Sequence, residues 1–320
     1  MRAFATLLAL LCLQVSAFAQ SFPEQSVRIF VGFTPGTAPD VTARLLADKF
    51  SEAWGKPVVV ENVTGAGGNI ACDRVAKAVP DGHSLVMCGN GTLVIGPSLY
   101  EKMPFDPLKD LAPISQVFVA ANILTMHPSV PVKSVVELVE LAKTQPGKLT
   151  YGHAGVGTSQ HLAAELFKYT AKVDITPVAY RGTTALLPDL LAGRINIVFG
   201  NVVNMLPLMQ EGKLRGFAVT SLKRSGVAPE LPTMNESGYP GFEAVPWFGL
   251  MAPAGTPQPI VDKIHKEAVR VLALPDVRKR LAELGLDVIG GTPAELTEVM
   301  RKETPAWAKM IKDAGIKASD

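Results

Sequence analysis

Two α/β lobes facing each other across a ligand cleft is the architecture this sequence predicts, and three observations predict it. Short β-branched runs alternate with helical patterns, as in Val27 to Val31 followed by 40–54 and Val58 to Val60 followed by 69–78, which is the signature of βαβ units building a parallel sheet. The chain has 320 residues, 48% of them hydrophobic, enough for about two domains with cores of their own. Glycine-containing strand-to-helix turns recur in both halves, at the kind of position where α/β proteins hold ligands.

Taken in order, residues 1–19 carry Arg2, an apolar run from Leu7 to Leu13, and Ala17-Phe18-Ala19 ahead of Gln20. That is the order of a secretory signal peptide cleaved after Ala19. The apolar run is too short to span a bilayer, and no later stretch reaches the roughly 20 apolar residues that a spanning helix needs. The mature chain is therefore expected to be soluble and periplasmic. In the first helix Val41, Leu45, Leu46 and Phe50 share one face, and Asp40 after Pro39 is a suitable start. A strand follows at 84–87. A long strand-like run from Ala112 to Met126 leads into a second set of units, with helices near 134–143, 159–169 and 183–192 and strands near Thr150, 175–179 and 195–199. Residues 221–246, rich in Pro, Gly, Ser and Glu, read as irregular. A strand at 248–251 and helices over 257–272, 275–284 and 293–314, with a strand at 286–289 between, complete the chain. Crossings near 120–126 and 245–251 divide it into a discontinuous first domain, 20–123 plus 247–320, and a second domain, 124–246.

Composition excludes several classes. The chain carries 31 basic and 29 acidic residues, and losing the leader removes only Arg2, so the mature protein is close to neutral. No run of Lys and Arg is interleaved with aromatics, so there is no nucleic-acid footprint. His83, His127, His153, His161 and His265 form no ligand cluster; they read as core or surface residues, and neither metal nor cofactor is implied. Cys72 falls in the first turn of a helix and Cys88 ends the next strand, places that share one edge of a βαβ sheet. A disulfide between them and two buried free thiols both fit, in a compartment that permits oxidation.

Three loops share one design of strand, glycine turn and helix start: Gly32 to Asp40, Gly65-Ala66-Gly67-Gly68-Asn69, and Gly155-Val156-Gly157-Thr158-Ser159. Free N–H groups at a helix N-terminus, backed by the helix dipole, form an anion site, and glycine lets a ligand approach the backbone closely. Each loop alone is equally well an ordinary turn; three, divided between two lobes, point to a shared anion. The second loop resembles G-x-G-x-x-G but has Ile70 at the third glycine position, and no Gly-Lys pair continues into a phosphate-binding loop. A carboxylate, which backbone N–H and hydroxyl groups can hold without lysine, suits these loops better. Gly157-Thr158-Ser159-Gln160-His161 sets a serine near a histidine, but it is not the G-x-S-x-G elbow, and His161 faces away from Ser159 on a helix. A serine hydrolase is thus the weaker alternative to a binding protein.

At these loops the sequence closely resembles the receptors of the tripartite tricarboxylate transporter family, also called Bug proteins, over essentially the whole mature chain. The matching segments are Pro35-Gly36 with Asp40 and Ala43-Arg44; Glu61-Asn62 with Gly65 to Ile70; Ala78 to Gly82; Gly155 to Thr158 with His161-Leu162; Tyr180-Arg181-Gly182 with Asp189-Leu190; Leu231-Pro232-Thr233 with Glu236; and Ala252 to Pro257. The resemblance implies a type II, Venus-flytrap periplasmic binding fold that closes on a small organic carboxylate or dicarboxylate. It also implies integral-membrane transporter subunits as partners, and the protein itself is expected to be a monomer. Some members act in sensing rather than uptake, and both roles stay open. The expected ligand-binding set is Phe33, Thr34, Gly36, Thr37, Asp40, Gly67, Gly68, Asn90, Gly155, Gly157, Thr158, Ser159, Tyr180 and Asn196. Two of these depart from the family pattern: Thr37 stands where a second glycine is usual, adding a hydroxyl, and Asn196 stands where an acid is usual, removing a charge from near the expected cleft.

Overall fold

The computed structural model describes residues 22–316; the leader expected over 1–19 and its cleavage point lie outside the described residues. The first lobe opens with β1 (Val27–Val31), α1 (Ala38–Trp54), β2 (Val58–Asn62), a 3-10 turn (Ala66–Gly68), α2 (Asn69–Ala76) and β3 (Ser84–Gly89). A π-helical turn (Gly91–Ile95) runs into α3 (Gly96–Leu99), followed by α4 (Pro107–Asp110) and β4 (Leu111–Ala120). The second lobe holds β5 (Asn122–Met126), α5 (Val135–Thr144), β6 (Thr150–His153), α6 (Ser159–Ala171), β7 (Thr176–Ala179), α7 (Thr183–Leu191), β8 (Ile197–Asn201), α8 (Val202–Gln210) and β9 (Arg215–Val219). The chain then returns through β10 (Trp247–Pro253), α9 (Gln258–Leu272), α10 (Pro275–Glu283), β11 (Leu286–Val288) and α11 (Pro293–Asp313).

Local chemistry explains the helix boundaries. α1 begins two residues earlier than Asp40: Pro39 sits in the first turn, where its missing N–H costs nothing, and Gly55 ends the helix in the left-handed region at φ 65°, returning its N–H to Ser51 O. Ser134 caps α5 by accepting from Glu137 N, and Thr292 with Glu295 forms a capping box at the start of α11. α9 buries Ile260, Val261, Ile264, Ala268 and Val271 at helical spacing against the first sheet.

The strands form two sheets, ordered β11-β4-β10-β3-β1-β2 and β7-β6-β8-β5-β9. Neither is parallel throughout, which corrects the expectation from the βαβ pattern. β1 runs parallel to β2 and β3, but β10 is antiparallel to both β3 and β4, and β11 is antiparallel to β4. In the second sheet β6 is parallel to β7 and β8, while β5 is antiparallel to β8 and β9. β5 and β10 enter their lobes from the crossings, so no right-handed crossover sets their direction, and β11 is a short reversed strand at the edge of its sheet.

The run from Ala112 to Met126 is likewise two strands, broken at Ala121, with β4 in one sheet and β5 in the other. Ala120, Ala121, Asn122 and Ile123 are all buried, so no exposed residue marks the break; its one polar residue, Asn122, is itself enclosed. The return crossing lies alongside: Ala120 N–H donates to Pro246 O at 2.8 Å, and Ala244 N–H to Thr220 O at 3.0 Å. Two adjacent, hydrogen-bonded crossings form the joint between the lobes. One apolar cluster spans it, with Leu162 of α6 packed among Leu93, Ile95, Leu99 and Trp247 of the first lobe.

Candidate functional site

The glycine loops of the first lobe touch each other. Gly32 lies so near Gly68 that a Cβ on Gly32 would stand 2.5 Å from the Gly68 Cα, and a Cβ on Gly68 would stand 3.4 Å from both the Phe33 ring and Thr92 Oγ1. Close backbone approach is the reason for glycine at Gly32, and a left-handed φ of 103° is the reason at Gly68. Phe33 is steadied by an edge-on contact with Phe248, ring centroids 5.4 Å apart. The Phe33 and Thr34 N–H groups have no hydrogen-bond partner among the described residues.

The rest of the first loop is committed to itself. Asp40 is buried and accepts from Gly36 N at 2.9 Å, from Arg44 Nη2 and Nε at 2.9 and 3.1 Å, and from Asn62 Nδ2 at 2.8 Å. Burial alone would raise its carboxyl pKa, but the hydrogen bonds from Arg44, Gly36 and Asn62 and the charge of Arg44 outweigh it and hold the pKa below its ordinary value. Asp40 thus anchors the loop rather than meeting an anion, and the Gly36 N–H is spent on it. The Thr37 hydroxyl donates to Thr34 O at 2.7 Å, so the departure from Gly-Gly tightens the turn and adds no free donor.

In the second lobe Thr158 caps α6: its hydroxyl donates to Gly155 O at 2.7 Å and accepts from His161 N at 3.5 Å. Two buried imidazoles hold the loop from behind, Gly155 N–H pointing to His153 Nδ1 at 3.3 Å and Gly157 N–H to His161 Nδ1 at 3.4 Å. Burial lowers the pKa of both rings, that of His161 to about 4, so both are neutral acceptors. Both rings sit in the core, and their hydrogen bonds also orient the loop. What remains outward is the N–H groups of Val156, Ser159 and Gln160 and the half-buried Ser159 hydroxyl, none with a partner among the described residues. His161 faces Gly157, not Ser159, so the arrangement holds no serine–histidine pair.

The two lobes meet along a seam. A Cβ on Gly91 would lie 3.0 Å from Gly157 O, and one on Gly157 would lie 2.8 Å from Leu99 Cδ2. Asn90, Ile95, Ser159, Leu162, Val245 and Trp307 line a small cavity there of about 10 Å³, no larger than a single water needs. Asn90 is pinned to the return crossing by donating to Val245 O at 3.1 Å. A larger concavity, about 900 Å³, lies on the outer side of the second lobe between Lys133, Met209, Phe217 and Glu236, remote from the glycine loops.

Two expected residues are engaged away from the glycine loops. Asn196 lies at the opposite edge of the second sheet: its Oδ1 accepts from Thr150 N and Oγ1 at 2.9 and 3.1 Å, at the start of β6. The glycine loop follows the end of that four-residue strand, about 10 Å away, so the missing acid does not alter charge at the cleft. Tyr180 is at the correct edge, but its hydroxyl donates to Asp189 at 2.8 Å, which in turn pairs with Arg194. Cys72 and Cys88 are joined by a disulfide, Cα atoms 6.3 Å apart, beneath the loop–α2 junction. Among the described residues no group of three or more His, Cys, Asp and Glu could hold a metal, and no helix is long and apolar enough to cross a membrane.

Residues 42–316 match the tripartite tricarboxylate transporter family receptor. A protein from the tcbD-tcbE intergenic region of Pseudomonas sp. strain P51 is 36% identical over 300 residues, covering 93% of this chain and 89% of that one. Rhodopseudomonas palustris Rpa4515, solved with adipate, superposes with a TM-score of 0.84 at 35% identity, covering 92% of this chain and 99% of the other. The periplasmic binding protein BugD does so with 0.81 at 35%, over 92% and 99%. MatC of R. palustris, with bound malate, gives 0.81 at 33%, over 91% and 100%.

Proposed function

Because this chain belongs to the tripartite tricarboxylate transporter receptor family, the Bug proteins, we propose that it binds a small organic carboxylate between its lobes, leaves it chemically unchanged, and delivers it to integral-membrane transporter subunits. The observation that supports this reading is that the glycine loop of each lobe carries donors without a partner among the described residues: the Phe33 and Thr34 N–H groups of the first lobe, and the Val156, Ser159 and Gln160 N–H groups with the Ser159 hydroxyl of the second. Neutral donors at helix starts suit a carboxylate that must later be released. Rpa4515 with adipate and MatC with malate make dicarboxylates the first candidates. The protein acts in the periplasm, after removal of its leader, with residues 20–123 and 247–320 forming one lobe and 124–246 the other. Gly67, Gly68 and Asn90 shape the first-lobe wall, and Gly155, Gly157 and Ser159 the second. Asp40, Thr37 and Thr158 hold the loops that carry the donors.

The test is to identify by mass spectrometry the acid that leaves the purified, then denatured, protein, and to titrate a panel of mono- and dicarboxylic acids, adipate and malate included, by calorimetry. Stoichiometric binding of an acid recovered intact is expected. Conversion of that acid into a product, or binding of no carboxylate, refutes the reading.

A further inference from the structure

We propose that the Tyr100 hydroxyl is a ligand-contacting, specificity-determining donor, reaching the ligand's carboxylate where the glycine loops of the two lobes converge. Tyr100 directly follows α3 and belongs to no loop assigned to the site above. Its oxygen stands between a glycine of each lobe: a Cβ on Gly67 would lie 3.6 Å from it, and a Cβ on Gly157 would also lie 3.6 Å from it. Those glycines have φ of 65° and 78°, the left-handed region that other residues rarely adopt, so both places stay free of side chains. The aromatic ring is half-buried, packed on the cluster that spans the lobes and includes Val156 and Leu162. The hydroxyl, by contrast, has no hydrogen-bond partner among the described residues. Burial raises its pKa, so it is a neutral donor at any periplasmic pH.

A phenol oxygen held between two lobes without a protein acceptor is free to donate to a group that enters the seam. The chemistry it fits is an anionic oxygen: an O–H donor beside main-chain N–H groups completes a cradle that has no lysine or arginine. The segment that delivers it is the π-helical turn Gly91–Ile95 and α3, and π-turns of this kind recur at functional sites. Tyr100 would also contribute to closure, since it reaches both loops only when they are brought together.

This inference rests on the carboxylate-binding reading of the same seam, and its test separates the two. Wild type and Tyr100→Phe are titrated with the tightest-binding acid of the panel and with the corresponding primary amide. The variant should melt like wild type without ligand, bind the acid about ten-fold or more weakly, and lose less towards the amide, because hydrogen bonds to charged acceptors are roughly twice as strong as neutral ones. Replacing Tyr100 with fluorotyrosines of graded acidity should tighten binding as the phenol becomes a better donor, a trend that a purely structural ring would not produce and that does not depend on the Phe variant folding. An acid affinity within about twofold of wild type for a folded Tyr100→Phe, a small change on the scale of one hydrogen bond, overturns the inference, as does a flat fluorotyrosine series. Failure of wild type itself to bind any acid overturns the parent reading and this one with it.

Discussion

Replacing Asp40 with Asn tests whether the first glycine loop is held by a buried ionic anchor. Asp40 is 1% exposed and accepts hydrogen bonds from Gly36, Arg44 and Asn62. Asn presents one acceptor and adds a donor that faces these donors, so at least one buried partner is stranded. A hydrogen bond to a charged acceptor contributes about 1.5–3 kcal/mol. The Arg44 side chain is 49% exposed and can rehydrate, so its share is discounted to the roughly 0–1 kcal/mol of a surface ion pair. The expected loss is thus about 2–4 kcal/mol, mostly from Gly36 and Asn62. The lowered carboxyl pKa fixes the pH dependence. A depressed folded-state value means stability that is fully present above the ordinary value of 3.8 and is lost as pH falls through the still lower folded value. Urea unfolding of both proteins at neutral pH and at acid pH below about 3 should therefore show a large difference that shrinks in acid. A neutral-pH difference below about 0.5 kcal/mol, the range of an ordinary surface substitution, or a difference unchanged in acid, would refute the anchor.

Three further outcomes are expected. The Cys72–Cys88 bridge closes a loop with a sequence separation of 16; reducing it, or replacing both residues with Ala, should cost about 3 kcal/mol, and thiol labelling of the denatured, unreduced mature protein should find neither cysteine, whereas two labelled sites would rule the bridge out. His161, lowered by burial to about 4, should take up a proton more readily unfolded than folded, so wild-type stability falls as pH drops from about 6.5 towards 4; His161→Gln, which keeps an acceptor for Gly157, should flatten that limb in a melting series, and an unchanged slope argues against it. Ser159→Ala should weaken binding of the cognate acid by about 0.5–1.5 kcal/mol, or more towards a charged oxygen, and small-angle scattering should show the radius of gyration falling when acid is added to wild type; equal affinity with no compaction would mean that the lobes do not clamp the ligand.

The fold was legible where one rule acts alone. Leu46 and Phe50 do lie on the buried face of α1, which they share with Ala43 and Ala47, whereas Val41 and Leu45, expected on the same face, are only half-buried because the 100° turn per residue carries them to the other side. It was not legible where two sheets share one apolar run. Burial is continuous from Ala120 to Ile123, so the joint between lobes carries no exposed turn, and a single Asn122 inside an apolar run does not by itself signal a change of sheet. β9 was missed because Arg215-Gly216-Phe217-Ala218-Val219 offers a weak strand pattern, and α8 because Pro207 interrupts it.

For the site, glycine spacing pointed to the right loops but not to which of their donors remain free. That choice is made by side chains three or four residues away: Asp40 takes the Gly36 N–H, His161 takes the Gly157 N–H, and the Thr37 and Thr158 hydroxyls close their own turns. A loop rigid enough to present two or three aligned N–H groups must spend its other polar groups on holding itself, so a residue's presence in an anion-binding motif argues as readily for scaffolding as for contact. Asn196 failed for a different reason, since its place follows from parallel pairing of β6 with β8, which puts strand starts and strand ends on opposite edges. Tyr100 could not be reached from motifs at all: Gly-rich turns announce where a ligand can approach the backbone, whereas the group that fills the gap between two such turns is set by how the lobes meet, and here a glycine from each lobe leaves space for a single phenol oxygen.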